Sequence, residues 1–306
     1  MIVGRVQTPT LAMLVERERQ IMEFQKTPYY LAHIHCGELD AVTQRMDKKE
    51  QAEGIAEACQ NGQAVVISVK REKKTEQPPK LYDLTTLQRD ANRLFGFTAQ
   101  QTLDYAQSLY EKKLVTYPRT DSQFLTEDMA QTAKEIIDVV KTVIPALLGI
   151  VPATNVEQVL NSKKVSDHHA MIPTMELAKA DVREIPGGEL QVLSLIAARL
   201  ISATGARHCS ETVKAEIDCN GVSFYATGKT VLENGWKSYE ETFKKFFKIH
   251  KETEERKLLP QISEAMEFSK VSSSVSEHFT TPPKHYTDVI FCERKEWIGI
   301  EERSSA

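Results

Sequence analysis

Four residues within one short stretch carry groups suited to phosphodiester chemistry. Tyr117 can supply a nucleophilic oxygen, and Arg119 offers a planar fork of N–H donors that matches a phosphate. Pro118 has a fixed φ that limits how these two side chains are presented, and Asp121 adds a carboxylate. The stretch 114–122 therefore predicts a site that acts on a phosphodiester.

The composition predicts a globular chain with real cores. With 306 residues, 41% of them hydrophobic, it is long enough for two or three compact domains. The sequence holds no apolar run near the roughly 18 residues of a membrane span, and the segment that follows Met1 already carries Arg5 and Gln7, so we expect no signal peptide, no membrane association and a cytoplasmic location. The net charge of −4 argues weakly against nucleic-acid binding, but a local basic groove is compatible with it.

The cysteines indicate neither a disulfide framework nor a cysteine zinc site. They are widely spaced, odd in number and form no C-x-x-C pair. We interpret all five as reduced thiols, and they are Cys36, Cys59, Cys209, Cys219 and Cys292.

The elements that must position the site begin with a helix. Thr8 is predicted as its N-cap and Pro9 as its first residue, so Arg5 and Gln7 would lie in the loop entering it, where backbone N–H groups favour an anion. A solvated arginine before a surface helix is the alternative interpretation. After Thr27, alternating apolar residues predict a strand.

A second helix and strand lead to a basic segment. The helix is predicted over 48–59 and the strand over 64–69. The run 70–74, together with Lys80, is either a solvated strand end and linker or a phosphate contact at a domain junction.

The middle of the chain is predicted to be helical. A helix with an apolar face ends at Gly96, and Thr98 with Gln101 forms a capping box for the next one. Two helices joined by a short turn and followed by 114–116 indicate a helix-turn-helix or winged-helix unit with Tyr117 at its surface. Further helices are predicted from 126 to about 143 and from 189 to about 204.

Strand patterns return after the helical block. Asn220-Gly221 between alternating segments predicts a hairpin, 244–257 is charged and loop-like, and 267–275 predicts another strand. We therefore expect a multidomain α+β protein in which a helical domain is inserted into a β domain. The predicted boundaries are 27–80 and 206–277 for the split β domain and 81–205 for the inserted helical domain.

Five blocks of sequence resemble the motifs of one enzyme family. They occur in the family's order over about 285 residues and are Gly4-Arg5-Val6-Gln7-Thr8-Pro9-Thr10-Leu11, Leu84-Thr85-Thr86-Leu87-Gln88, Val115-Thr116-Tyr117-Pro118-Arg119-Thr120-Asp121-Ser122, His168-His169-Ala170-Met171-Ile172-Pro173-Thr174 and Thr281-Pro282-Pro283-Lys284-His285-Tyr286-Thr287. Each block alone is modest, but together they are highly specific. The chain resembles the type IA DNA topoisomerases, and most closely bacterial topoisomerase III.

The resemblance implies an architecture. A β-rich arch is split by a winged-helix-like domain that bears the tyrosine, and residues 1–26 and 278–306 belong to a helical domain at the base of the gate. It also implies ATP-independent cleavage of one DNA strand, strand passage and religation through a 5′-phosphotyrosyl intermediate. Single-stranded DNA is the expected partner, with a helicase as a second candidate. A monomer in the bacterial cytoplasm, associated with the nucleoid, is expected.

The resemblance also implies roles for individual residues. Tyr117 is the nucleophile, Arg119 clamps the scissile phosphate, and His168 donates to a phosphate oxygen. The alternative for His168 and His169 is a structural pair of hydrogen-bonded residues, and for Thr86 and Gln88 it is helix capping and packing. Asp121 and Ser122 are expected to orient Arg119 and the loop. The DNA-contacting set is Arg5, Gln7, Lys80, Gln88, Asp121, Ser122 and His169.

The family's magnesium site does not match this chain. The family holds Mg²⁺ with a D-x-D motif and a separate glutamate in a Toprim domain ahead of the Gly4 block, and the sequence contains no D-x-D. We therefore expect a fragment that lacks the metal ligands and is inactive alone. The pattern also departs from the family after Asp288. A non-catalytic, single-strand DNA-binding module of the same fold is the alternative.

Overall fold

The computed structural model describes residues 7–150, 154–249 and 261–286. It confirms an α+β chain, and the chain divides into two compact units. The first, here called the sheet unit, comprises Met1–Lys74, Ser210–Leu232 and Thr253–Tyr286. The second, here called the helical unit, comprises Thr75–Cys209, Glu233–Glu252 and Thr287–Ala306. The finer domain boundaries given above stay a prediction.

Among the described residues, two helices and seven strands belong to the sheet unit in whole or in largest part. They are α1 (Gln7–Met22), β1 (Pro28–Cys36), β2 (Leu39–Val42), α2 (Lys49–Cys59), β3 (Gln63–Glu76), β4 (His208–Cys219), β5 (Val222–Glu233), β6 (Glu267–Ser269) and β7 (Ser272–Phe279). The strand order is β6-β3-β4-β5-β2-β1-β7. Since β6 and β7 are neighbours in the chain but lie at opposite ends of this order, the sheet is curled. Alternate side chains of β1 are buried inside it.

Local signals fixed several of these elements. Helix α2 lies where it was predicted, and β4 and β5 form the predicted hairpin. Asn220 and Gly221 both have positive φ (53° and 80°), as the tight turn of a two-residue hairpin requires.

Three predicted boundaries in the sheet unit were wrong. Helix α1 begins at Gln7, so Thr8 is a first-turn residue and not the cap. Strand β3 continues to Glu76 through the basic run 70–74, because strand pairing needs only the backbone and its charged side chains stay exposed. The strand predicted over 267–275 breaks at Lys270, where φ is 67°, and its two halves join opposite edges of the sheet.

The helical unit packs its helices around one core. They are α3 (Leu84–Phe95), α4 (Ala99–Glu111), α5 (Ala130–Val143), α6 (Gly187–Ala203) and α7 (Lys237–Phe246), with 3₁₀ turns at Glu127–Met129, Pro145–Leu147, Val156–Val159, Ser162–Lys164, Met175–Lys179 and Val182–Glu184. Helix α6 is buried along most of its length. The predicted capping box of Thr98 and Gln101 is present, and Gly96 ends α3 with a left-handed φ of 74°.

The stretch expected to be loop-like from 244 begins as helix. Helix α7 reaches Phe246 because its buried Phe243 packs against Phe95 and Phe247, with ring centroids 6.2 and 4.9 Å away. The rest of that stretch, 250–257, lies outside the described residues.

Candidate active site

Two of the motif segments are joined through their backbones. The Thr116 N–H donates to the Ile172 carbonyl over 3.0 Å, and the Ile172 N–H returns a 3.0 Å bond to Thr116 Oγ1. The Thr174 N–H donates to the Leu114 carbonyl at 3.0 Å. The segment that carries Tyr117 is therefore held in strand-like pairing with the segment that follows His168.

A third segment, just before and at the start of α3, joins the same assembly. The Met171 N–H donates to the Tyr82 carbonyl at 2.8 Å, and the Leu84 N–H donates to the Thr120 carbonyl at 3.1 Å. Blocks that lie up to about ninety residues apart in sequence thus meet around one short loop. This convergence fixes the backbone on both sides of Tyr117.

The Tyr117 ring is half-buried and lies between two other rings. Its centroid is 4.3 Å from that of His168, with planes tilted by 41°, and 5.5 Å from that of Tyr110 in an edge-to-face contact. The Thr120 hydroxyl donates to the His168 carbonyl at 3.0 Å and so fixes the histidine backbone. The phenol therefore has a defined position beside an exposed imidazole.

Arg119 extends from this loop into solvent. Pro118 before it and Thr120 after it are buried, whereas Arg119 is exposed. Within the described part of the chain its guanidinium has no hydrogen bond or ion pair. An anchored backbone with a free guanidinium is an arrangement suited to an incoming phosphate.

Asp121 and Ser122 hold the loop, and among the described residues neither makes a hydrogen bond or ion pair with Arg119. Asp121 Oδ1 accepts a 3.0 Å hydrogen bond from the Ser166 hydroxyl. Ser122 is only 4% exposed, and its hydroxyl donates to the Lys164 carbonyl at 3.0 Å and accepts from the Phe124 N–H at 3.2 Å. These contacts hold the loop that carries Arg119, and Ser122 offers almost no surface for DNA contact. The DNA-contact role of Asp121 stays a prediction.

Thr86 caps its own helix, and Gln88 links that helix to the next one. Thr86 completes a capping box with Asp83, which the sequence analysis missed, and its hydroxyl donates to Asp83 Oδ1 at 2.6 Å. The Gln88 amide donates to the Ala99 carbonyl at 3.1 Å and ties α3 to the start of α4. These contacts favour the capping and packing interpretation, although Gln88 remains partly exposed.

His169 is partly buried and hydrogen-bonded to the backbone, whereas Lys80 is exposed. His169 is partly buried, and its Nδ1 donates to the Ala170 carbonyl at 2.8 Å, which is the structural alternative. Lys80 is exposed, with Nζ 5.5 Å from the centroid of the Phe124 ring, and Lys164 Nζ lies 5.0 Å from the same ring. Lys80 is therefore accessible to a phosphate, as its predicted role requires.

The remaining predicted contacts lie at the edge of the described chain. Arg5 is outside the described residues. Gln7 is the first residue of α1, and the position of its side chain is likewise outside what the structure describes. Their DNA-contact roles stay predictions.

Sequence reasoning missed two groups near the site. Tyr110 was not among the predicted site residues, yet its ring touches the Tyr117 ring. Tyr82, Asp90 and Arg199 form a buried polar cluster in which the Tyr82 hydroxyl donates to Asp90 Oδ2 at 2.7 Å. For Tyr110, its position seven residues before Tyr117 was the one available signal in the sequence. For the cluster of Tyr82, Asp90 and Arg199 no signal was available, because Arg199 pairs with the other two across more than a hundred residues.

The described residues do not fit a Mg²⁺ site. No group of three or more His, Cys, Asp or Glu side chains within 7–150, 154–249 and 261–286 is arranged to hold a metal ion. A search of the same residues finds no helix long and apolar enough to cross a membrane.

Comparisons with known proteins give a consistent result. A family model described as DNA topoisomerase matches residues 1–294. The chain is 36% identical over 305 residues to DNA topoisomerase 3 of Bacillus licheniformis, covering 93% of this chain and 40% of that protein. It is 37% identical over 247 residues to DNA topoisomerase 3 of Bacillus subtilis, covering 77% of this chain and 34% of that protein. The chain thus spans well under half the length of these relatives.

A solved structure shares the fold. Full-length topoisomerase I from Thermotoga maritima superposes with a TM-score of 0.70 at 23% sequence identity, over 97% of this chain and 48% of that one.

Proposed function

Since the chain belongs to the DNA topoisomerase family, we propose that it is the tyrosine-bearing, strand-passing part of a type IA enzyme of the topoisomerase III kind. The observation that carries the proposal is the meeting of three motif segments around Tyr117, with His168 beside its ring and with the Arg119 guanidinium unpaired among the described residues. A structural tyrosine would not need a free arginine two residues away on a loop anchored at both ends.

The proposed reaction is a transesterification. The Tyr117 oxygen attacks the phosphorus of one DNA strand, a bond forms between them, and the bond to the 3′ oxygen breaks. The phenol gives its proton to water, the 5′ phosphate stays on the tyrosine, and the departing 3′ oxygen takes up a proton from water to become a 3′ hydroxyl. Religation reverses the two steps, so one phosphodiester replaces another and no ATP is consumed.

Arg119 and His168 would supply the charge that the reaction needs. The pentacoordinate phosphorus carries more negative charge on its oxygens than the starting diester, and a fixed guanidinium stabilises that charge. His168, adjacent to the phenol ring, would donate a hydrogen bond from its imidazole to a phosphate oxygen. Because the described residues hold no magnesium site, the steps assigned here use only Tyr117, Arg119 and His168.

The proposal extends to the domain roles, the substrate, the partner, the location and the metal requirement. The curled sheet would be the arch, split by the winged-helix-like helical unit, and residues 1–26 and 278–306 would belong to the base of the gate. Single-stranded DNA is the proposed substrate, a helicase a candidate partner, and a monomer in the bacterial cytoplasm, near the nucleoid, the proposed state. A Mg²⁺ requirement is proposed for the longer enzyme.

A chimaera tests the proposal. This chain replaces the matching segment of DNA topoisomerase 3 from Bacillus licheniformis, and relaxation of negatively supercoiled DNA is followed with Mg²⁺ present. We expect the chimaera to relax DNA, and the chain alone to bind single strands without relaxing DNA. Relaxation by the chain alone would overturn the claim that a further segment is required.

Salt dependence separates the two functions first considered. If Arg5, Lys80 and Arg119 each contact a phosphate, the logarithm of the single-strand affinity should fall with the logarithm of the salt concentration with a slope of about −2. Salt-dependent binding by the chain together with an inactive chimaera would favour the non-catalytic module.

A further inference from the structure

An open groove lies directly beside the Tyr117 ring in the helical unit. Its volume is about 590 Å³, and its walls include Tyr110, Val115 and Met175. Tyr110 is the residue whose ring touches that of Tyr117 edge to face. The groove therefore begins one ring away from the proposed nucleophile.

Exposed apolar surface distinguishes this groove. Tyr110 is 40% exposed and Met175 is 39% exposed, while Val115, at 1%, belongs to the buried core beneath them. An aromatic face and a thioether offer a polarisable surface on which a flat ring can stack.

The threonine hydroxyls in the groove are already engaged. Thr116 Oγ1 donates to the Ala170 carbonyl at 3.2 Å, and Thr174 Oγ1 donates to the Lys113 carbonyl. Their donated protons are thus unavailable to a ligand. Contact with an occupant must come mainly from stacking and apolar surface.

The charges lining the groove do not form a site for a phosphate in its interior. Glu111 accepts a hydrogen bond from the Gln107 amide at 3.0 Å, and Glu176 pairs with Lys179 at 2.9 Å. With two carboxylates and one lysine on the wall, charge alone does not draw a phosphate into the groove. The Lys113 ammonium, also on the wall, has no hydrogen bond or ion pair with any described residue.

We infer that this groove binds one nucleobase of the single strand, next to the phosphate that Tyr117 attacks. Tyr110 stacks on the base and Met175 contacts it from the opposite wall, while the adjoining phosphates remain outside, near Lys113 and Arg119. This inference rests on the proposed function and adds to it the residues that hold the strand in register. Tyr110 is a DNA-positioning residue in this account.

Paired ligands test the inference without a defined binding register. The chain is titrated with oligothymidylate and with an abasic deoxyribose-phosphate chain of the same length, each carrying a fluorophore for anisotropy. We expect Tyr110→Ala to weaken oligothymidylate binding about tenfold, the value of one lost base–aromatic stack, and to leave abasic binding unchanged. Tyr110→Phe keeps the ring and should bind both ligands as the wild type does.

The matched control is a tyrosine of equal exposure elsewhere. Tyr225 lies on β5 in the sheet unit and is 37% exposed against 40% for Tyr110. Tyr225→Ala should change neither affinity. Circular dichroism checks that each variant is folded. If Tyr110→Ala is not folded, Met175→Ala must weaken oligothymidylate binding, by a smaller factor, and leave abasic binding unchanged.

The outcomes separate the inference from the function beneath it. If the wild type binds oligothymidylate and Tyr110→Ala binds it equally well, or loses both ligands alike, the groove does not hold a base. If the wild type binds neither ligand, the proposed function fails and the inference fails with it.

Discussion

Two tyrosines of the helical unit sit beside arginines, and only one of them is placed to react. Tyr82 is 1% exposed, lies under the Arg199 guanidinium at 4.1 Å, and shares hydrogen bonds with Arg199 and Asp90. Tyr117 is half-buried, has a histidine ring beside it, and lies two residues from an arginine with no described partner. The residue types are nearly the same in both places.

The difference lies in which groups are already satisfied. Around Tyr82 every charge has a partner, because Asp90 accepts from Arg93 at 2.6 Å and pairs with Arg199 as well. Burial is the main cause that raises the pKa of Tyr82 well above its usual range, and the nearby Asp90 carboxylate adds to it. A neutral, fully bonded phenol stabilises a fold, whereas a phenol beside unpaired donors can meet a ligand.

The largest expected effect separates the two tyrosines by activity. In the chimaera, Tyr117→Phe should abolish relaxation of supercoiled DNA because it removes the attacking oxygen. Tyr82→Phe should retain relaxation, since its hydroxyl acts only within the fold. Gel assays at matched protein concentrations measure both, and activity in Tyr117→Phe would end the distinction drawn here.

The second effect separates the two arginines by rate. Arg119→Ala should slow single-strand cleavage by about 3 kcal/mol of lost charge stabilisation, roughly a hundredfold. Its stability should change by less than about 0.5 kcal/mol, because an exposed side chain without partners is removed. Rapid-quench measurement of cleavage and urea unfolding report the two quantities. Unchanged cleavage would remove Arg119 from the site.

The third effect is a loss of stability without a loss of DNA binding. Arg199→Ala should lower the free energy of unfolding by about 2 to 3 kcal/mol, because it removes the more buried of the two cations that pair with Asp90 and leaves that carboxylate with Arg93 alone. The side chains of Arg199 and Asp90 are only 15% and 17% exposed, which supports a cost of that size. Single-strand affinity measured well below the unfolding midpoint should be unchanged. A stability equal to that of the wild type would show that the cluster contributes little.

The smallest effect is a pH dependence. Because the pKa of Tyr82 is raised on folding, its stabilising contribution is complete below the unfolded pKa of about 10 and is lost as the pH rises through the folded value. The free energy of unfolding should therefore fall more steeply above pH ~10 in the wild type than in Tyr82→Phe, by up to about 1.4 kcal/mol per pH unit. Parallel curves for the two proteins would contradict a buried neutral Tyr82.

The comparison with Tyr82→Phe is needed because other groups act in the same direction. Burial raises the pKa of Cys59 to about 12 and that of Cys36 to about 11. Both thiols are present in both proteins, so the difference between the curves isolates Tyr82.

Local sequence signals predicted the parts of the fold that depend on neighbours in the chain. The Asn220-Gly221 turn, the Thr98 capping box and the Gly96 helix end each follow from the backbone preferences of one or two residues. The motif around Tyr117 was found in the same way, since its chemistry lies within a few residues.

Features set by distant pairing were not predicted. The bond between Arg199 and Asp90 joins residues 109 apart, and nothing near either residue indicates the other. Ser122 carries a hydroxyl suited to a phosphate, but two backbone partners in the folded chain engage it. The break at Lys270 depends on both edges of the curled sheet, which no single strand encodes.

Identifying the amino acid that becomes linked to DNA is the most direct test of the role of Tyr117. The chimaera is mixed with a single-stranded oligonucleotide, denatured and digested, and the DNA-linked peptide is sequenced by mass spectrometry. We expect a 5′ phosphate on Tyr117 and no adduct in Tyr117→Phe. An adduct on any other residue, or relaxation with no adduct at Tyr117, would contradict the account.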